Sequence, residues 1–314
     1  MQERQIRNRI HSRLRPLATF VVLLVSVVFT SATPGLATSD AGRASEFGSF
    51  LAGRHAAVLK DMNNATRFML RVIDENPDNQ KLTRKTFLLA LGAGMMEPAA
   101  DLARRIEAAG GKMPTALLFL AVEAARLGDL QESLRRLSAM PRVGLAVYAA
   151  PLVAAWVQAG LGDVGAALKM LEPLNEKSGF LTLGYLHAGL ILDLAGKPIL
   201  AEEKFRKAAS EFSKAPVRVA RAAGSLLERE GRIDEARTLY RDYLQANSNN
   251  LIIKRELDRL EAEIPATRLI ENPVQGVAEA LFHIATALPR HCATDVALVY
   301  AQIARYLRPD FTLN

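Results

Sequence analysis

Cysteine is all but missing from this chain: Cys292 is the one thiol in 314 residues. A single thiol cannot close an intrachain disulfide, so no disulfide framework holds the fold, and a zinc site that needs two or more thiolates cannot be built. Histidine is also scarce, with five residues, and His11 falls in the N-terminal segment. That leaves His55, His187, His283 and His291, no two of which have the i, i+4 spacing of a helical metal pair. His283 with His291 and Cys292 is the one imaginable metal or nucleophile constellation, and it reads more simply as a turn between two helices with a partly buried thiol. Phosphate loops are lacking: Gly111-Lys112 and Gly196-Lys197 have no earlier glycine at the required spacing, and Met113 and Pro198 stand where a magnesium-binding hydroxyl belongs. The acidic doublets Glu202-Glu203 and Asp234-Glu235 fall in the first turns of helices, where carboxylates favour the macrodipole. The residues therefore offer no catalytic set, cofactor site or metal site, and the chain reads as non-enzymatic.

What is present begins with an asymmetry of charge. Five arginines (Arg4, Arg7, Arg9, Arg13, Arg15) stand against Glu3 in the first 15 residues, and an apolar run from Leu17 to Thr30 follows. Small, turn-prone residues then lead to Ala37. This is the layout of a secretory signal over 1–37, with cleavage before Thr38. No residue between Pro16 and Ser39 is charged, so an uncleaved inner-membrane anchor is the alternative, and either way the body is expected outside the cytoplasm, in the periplasm. Without residues 1–37 the formal charge falls from +7 to +3, because 35 basic residues then face 32 acidic ones. The basicity belongs largely to targeting, and a nucleic-acid partner loses its support. Half of the residues are apolar, which excludes global disorder.

The body carries a repeat. Glycine followed by a charged residue recurs as Gly128-Asp129, Gly162-Asp163, Gly196-Lys197 and Gly231-Arg232, in steps of 34, 34 and 35 residues. Each glycine ends one apolar helical pattern a few residues before the next begins, as a left-handed helix terminus requires. Around these markers a small-residue pattern returns. One copy has Tyr185, Ala188, Gly189, Leu192, Ala201, Phe205 and Ala208; the next has Ala220, Ala223, Gly224, Leu227, Ala236, Tyr240 and Tyr243. Small residues let antiparallel helices approach closely while an aromatic fills the remaining gap. Further copies carry Ala121, Ser133 and Leu137, then Ala155, Ala167 and Leu171. The outer copies are Gly53 to Pro77, a weaker one over 80–110, and Leu281 to Pro309. Pro141 and Pro173 are each expected to end a helix early.

This pattern resembles the tetratricopeptide repeat. The resemblance implies an all-α, right-handed superhelix of about seven stacked antiparallel helix pairs. The expected layout is a signal over 1–37, a flexible leader over 38–46, repeats over 47–249, an inserted charged helix and loop over 250–275, and a further repeat over 276–314, where the chain stops as a new first helix would begin. The resemblance further implies that first helices line a concave groove for a protein or peptide partner of the cell envelope. Carried onto this chain, the groove positions are Leu118, Val122, Leu152, Trp156, Leu186, Leu190, Arg218, Arg221, Arg229 and Phe282, apolar in the middle and basic toward one end. The same side chains suit internal packing, since a tight superhelix buries its own concave face. A regulatory region of a longer envelope enzyme and a membrane-anchored assembly factor are the alternative functions.

Overall fold

The structure, a computed structural model, describes residues 38–175, 180–210, 216–287 and 294–310. The signal segment 1–37, His291 and Cys292 lie outside the described residues. Two compact units divide the chain, Met1–Gly42 and Arg43–Asn314. Of the first, residues 38–42 are described, at the start of a helix that continues into the second.

Helices are the only regular secondary structure among the described residues. Six hairpins follow one another: α1 (Thr38–Val58) with α2 (Met62–Glu75), α3 (Gln80–Gly92) with α4 (Met96–Ala108), and α5 (Pro114–Arg126) with α6 (Leu130–Ala139). Then come α7 (Ala146–Gly160) with α8 (Val164–Asn175), α9 (Leu181–Leu194) with α10 (Pro198–Ser210), and α11 (Val217–Arg229) with α12 (Ile233–Ala246). From α2 to α11 the second helix of each hairpin packs on the first helix of the next, which makes a solenoid. α13 (Leu251–Glu261) packs on α12 and α11, and a last hairpin joins α14 (Pro273–Ala287) to α15 (Thr294–Leu307). Residues 38–46, expected as a flexible leader, belong to α1. The expected early stop at Pro141 coincides with the end of α6 at Ala139, but Pro173 falls within the last turn of α8. Its ring removes the N–H that would bond the Lys169 carbonyl, and α8 extends only two residues further among the described residues.

The repeat pattern has a direct structural reading. Gly128, Gly162, Gly196 and Gly231 all have φ between +68° and +88°, each at the turn inside a hairpin, where a side chain would be strained. Asp129 and Asp163 then cap the second helix by accepting from the backbone N–H of Glu132 and Ala166. In the hairpins from α5 to α12 a small residue of the first helix stands sixteen positions before a larger one of the second. Ala121 pairs with Leu137 and Ala155 with Leu171, all four buried. Where the small residue shrinks to glycine, the partner grows. A Cβ on Gly189 would lie 2.4 Å from the Phe205 ring, and one on Gly224 would lie 2.2 Å from Tyr240. The sum of the two volumes is held roughly constant, so hairpins of different composition keep one spacing.

The last hairpin does not extend the stack. After the non-helical stretch 264–272, α14 packs along α7 and touches α9 and α5, while α15 packs on α14 and on α3. All four contacted helices of the stack are first helices of hairpins, so the chain returns to fill the face those helices build. Composition explains why α7 and α9 accept a further helix. Ala149 to Val157 is buried without a break, as is Leu186 to Asp193. A helix buried on every side needs neighbours on every side.

Candidate functional site

At the centre of the first-helix face, α14 is docked over the lone tryptophan. Gly276 lies against the Trp156 ring so closely that a Cβ there would meet it at 2.1 Å. From Trp156 a line of polar groups crosses the interface. Trp156 Nε1–H donates to His187 Nδ1 at 2.9 Å, and His187 Nε2 stands 3.1 Å from His283 Nδ1. His283 Nε2 lies 3.4 Å from Glu279 Oε1, and Arg218 Nε donates to that same oxygen at 2.7 Å. The tryptophan N–H can only donate, which fixes every later role: His187 accepts at Nδ1 and donates from Nε2, and His283 accepts at Nδ1 and points its own N–H at the carboxylate. In this arrangement both imidazoles are neutral. Burial holds both histidines well below the usual imidazole range, His283 at about 3, and the nearby Arg218 cation adds to the effect. The histidines thus satisfy one another and the docking helix, and neither is presented to solvent as a base.

Of the expected groove residues, Phe282 lies on this docked helix and the other nine lie on the first helices α5, α7, α9 and α11. Leu118, Val122, Leu152, Trp156, Leu186 and Leu190 are buried in the common core. Phe282 belongs to α14 itself, half-buried under the Arg218 guanidinium, whose carbon is 5.9 Å from the ring centre. At the expected basic end each arginine has a carboxylate partner. Arg218 pairs with Glu279, Arg221 with Glu256 at 2.5 Å, and Arg229 with Asp193 at 2.7 Å. The carboxylates come from α14, α13 and α9, so the positive charge is neutralised within the chain. In this structure these ten side chains pack the molecule's own helices.

The face remains open at its other end. Here α1, α3 and the outer flank of α15 enclose an apolar trough of about 620 Å³. Phe50, Ala57 and Val58 come from α1, Leu82 and Leu89 from α3, and Val296 and Leu298 from α15. A second depression of about 480 Å³ continues it past Phe47, sharing Phe50, Arg54, Leu82 and Lys85. Large apolar side chains stay in water along this trough: Val58 is 76% exposed, Phe47 66% and Val296 44%. α15 is held in place as the trough's wall from behind. Tyr306 donates to Glu123 at 3.0 Å, and Gln302 Nε2 donates to the Gly92 carbonyl at 3.2 Å. A larger cavity, about 750 Å³, lies among α10, α11 and α12, but Arg232 on its rim already binds both Glu202 and Glu235.

No protein-family model matches this chain, and no curated protein matches it in sequence. Among solved structures, the crystal structure of a tetratricopeptide repeat protein from Parabacteroides merdae aligns with a TM-score of 0.53 at 14% identity, covering 83% of this chain and 99% of that one. This is a tetratricopeptide-repeat fold. The crystal structure of MamA protein also aligns, with a TM-score of 0.45 at 18% identity, over 55% of this chain and 98% of that one.

For a tetratricopeptide-repeat solenoid, the sequence pattern allowed a self-buried face but did not show which helix fills it. His187, His283 and Glu279 carry the docking, and each looks unexceptional in its own repeat. The signal that could have found it was the all-round apolar character of α7 and α9, together with Glu279, the one carboxylate of the mostly apolar α14. Among the described residues no three His, Cys, Asp or Glu side chains are grouped to hold a metal ion, and no helix is long and apolar enough to cross a membrane.

Proposed function

We propose that this chain is an exported, non-enzymatic scaffold that holds a protein partner of the cell envelope in the trough between α1, α3 and α15. One observation carries the proposal: on a fold used for protein–protein interaction, the trough keeps a continuous set of large apolar side chains in water, beside a centre where comparable side chains are covered. Contiguous exposed apolar surface is costly to a soluble protein and marks interaction sites. A preformed, rigid surface lowers the ordering cost of binding. Export is supported by the arginine-rich start and the apolar run that follows it. The non-enzymatic reading rests on the polar chain at the centre, whose groups are committed to docking α14.

Capture from envelope extract tests the reading. The full-length chain and a Leu88→Asp, Val296→Asp double variant, altered at two exposed trough residues on α3 and α15, are compared as baits, with helicity and melting temperature measured for both. A partner retained by the parent and lost from the double variant at unchanged melting supports the trough. Equal capture by both removes it.

A further inference from the structure

We infer that the trough takes an amphipathic helix whose apolar face is flanked by acidic residues; this rests on the trough being the partner site. The shape of the occupant follows from what the chain does next to the trough. α14 and α15 are helices laid side by side on the first-helix face, α14 over α7 and α15 over α3. α15 buries one flank and leaves Val296 and Leu298 facing the trough, 44% and 37% exposed. A helix placed beside α15 would continue that layer onto α1 and α3, with the same kind of contact the chain already makes twice. The α1 lining runs from Phe50 to Val58, and with Phe47 it spans about 16 Å, or three helical turns. An apolar stripe at i, i+3, i+4 and i+7 spans about 10 Å, two of those three turns. An extended strand would leave its backbone groups without partners here, because the walls are helices with satisfied main chains.

The sign of the charge follows from the rim. Arg54 on α1 and Lys85 on α3 line both depressions, and Lys81 lines the outer one. Among the described residues none of the three has a carboxylate partner; Arg54 makes only a long cation–π contact with Phe50, 6.0 Å from the ring centre. Of the acids at the mouths, Asp295 is paired with Lys60 at 2.8 Å, while Glu46 accepts from the neutral Asn76 amide at 2.5 Å and keeps its charge. The rim thus sets three cations without a carboxylate partner among the described residues against one carboxylate, unlike Arg218, Arg221 and Arg229, each paired within the chain. This net positive rim around an apolar floor selects a partner with carboxylates flanking its apolar stripe.

Two synthetic helical peptides of about 14 residues test this. Both carry leucines at i, i+3, i+4 and i+7; one has glutamates on the flanks and the other lysines in the same places. Each is titrated against the full-length chain by fluorescence anisotropy at low and high salt. The glutamate peptide is expected to bind about tenfold more tightly at low salt, since a few exposed ion pairs each contribute a fraction of a kcal/mol. That preference shrinks at high salt. An Arg54→Glu, Lys85→Glu variant with unchanged melting inverts it. Equal binding of both peptides, lost in Leu88→Asp, overturns the acidic preference while leaving the trough as the site. Failure of both peptides to bind overturns the helix, and the captured envelope protein then decides the trough separately, by whether Leu88→Asp loses it. Peptide binding that Leu88→Asp and Val296→Asp leave unchanged overturns both.

Discussion

The two ends of one face have opposite fates. At the centre, α5, α7 and α9 are covered by α14, the apolar side chains are dry, and the buried charges and imidazoles are paired across the interface. At the N-terminal end, α1 and α3 carry side chains of the same type, yet Val58 and Phe47 remain largely in water and the cations of the rim have no carboxylate among the described residues. One repeat architecture therefore yields a covered core and an open apolar trough on the same side of the molecule. What separates them is whether the chain itself supplies the next helix. An apolar first-helix position is by itself no sign of a ligand.

The comparison is broken most severely where α14 meets α7. Gly276→Leu would push a side chain into the Trp156 ring, which already stands 2.1 Å from where a Cβ would sit. Overpacking of this kind costs about 3 kcal/mol or more when the backbone must move. Trp156→Ala empties the same contact and is expected to cost about 3–5 kcal/mol. Thermal unfolding checks both, with a fall of roughly 10 °C as the expected scale for Gly276→Leu, together with a red shift of Trp156 emission as α14 lifts.

Next in size is the ion pair. Glu279 is fully buried and the Arg218 side chain is 16% exposed, so Arg218→Met leaves a carboxylate without its countercharge. The expected cost is about 3 kcal/mol, because removing one partner strands the other. Glu279→Met added to Arg218→Met should recover most of it. If the double variant is no better than the single, the pair is not what anchors α14.

The histidines give a pH window. Their native pKa values lie below the unfolded value of about 6.5, so between that value and the depressed native one the unfolded chain binds more protons than the folded chain. Stability conferred by the neutral imidazoles is complete above pH ~6.5 and is lost as the pH falls below it, by about 1.4 kcal/mol per unit for each histidine. Carboxylates held low by arginine, such as Glu132 at about 2, lose their contribution only below the ordinary carboxylate range. Denaturant titrations from pH 7 to pH 5 should therefore show a slope that disappears in a His187→Leu, His283→Leu variant.

How much of this was legible in sequence divides along the same line. The hairpin turns were readable from Gly128, Gly162, Gly196 and Gly231, because a positive φ leaves a residue-type signature at a fixed period. The packing inside hairpins was readable from pairs such as Gly189 and Phe205, because contacts within one repeat recur at one spacing. The placement of α14 was not readable. Gly276 and Trp156, or His187 and His283, meet across repeats at separations that nothing repeats, and a hairpin has the same pattern whether it extends the stack or folds back over it. The pairing of the basic end was unreadable for a related reason: Arg218, Arg221 and Arg229 cluster by period, but their carboxylates arrive from α14, α13 and α9.

A smaller effect sharpens the contrast between two glycines. Gly48 lies inside α1, and a methyl group added there would have nothing within 4 Å, whereas Gly276 is pressed on a ring. Gly48→Ala should stabilise by about 0.5–1 kcal/mol through helix propensity alone, and Gly276→Ala should destabilise. Paired melting curves check the opposite signs.

The smallest expected change in stability is the most telling for function. Leu88 on α3 is 40% exposed at the trough, next to Phe87, which is fully buried. Leu88→Asp removes a side chain that is already partly hydrated and places a carboxylate near Lys85 and in reach of water, so stability should stay within about 0.5 kcal/mol of the parent. If Leu88 were a core residue like its neighbours at the centre of the face, the same substitution would cost several kcal/mol by burying an unpaired charge. A variant that melts normally while its partner is lost would place Leu88 on a surface kept apolar for something outside the chain. A variant that melts early would mean that the trough closes over Leu88 in solution, and the distinction between the two ends of the face would fall.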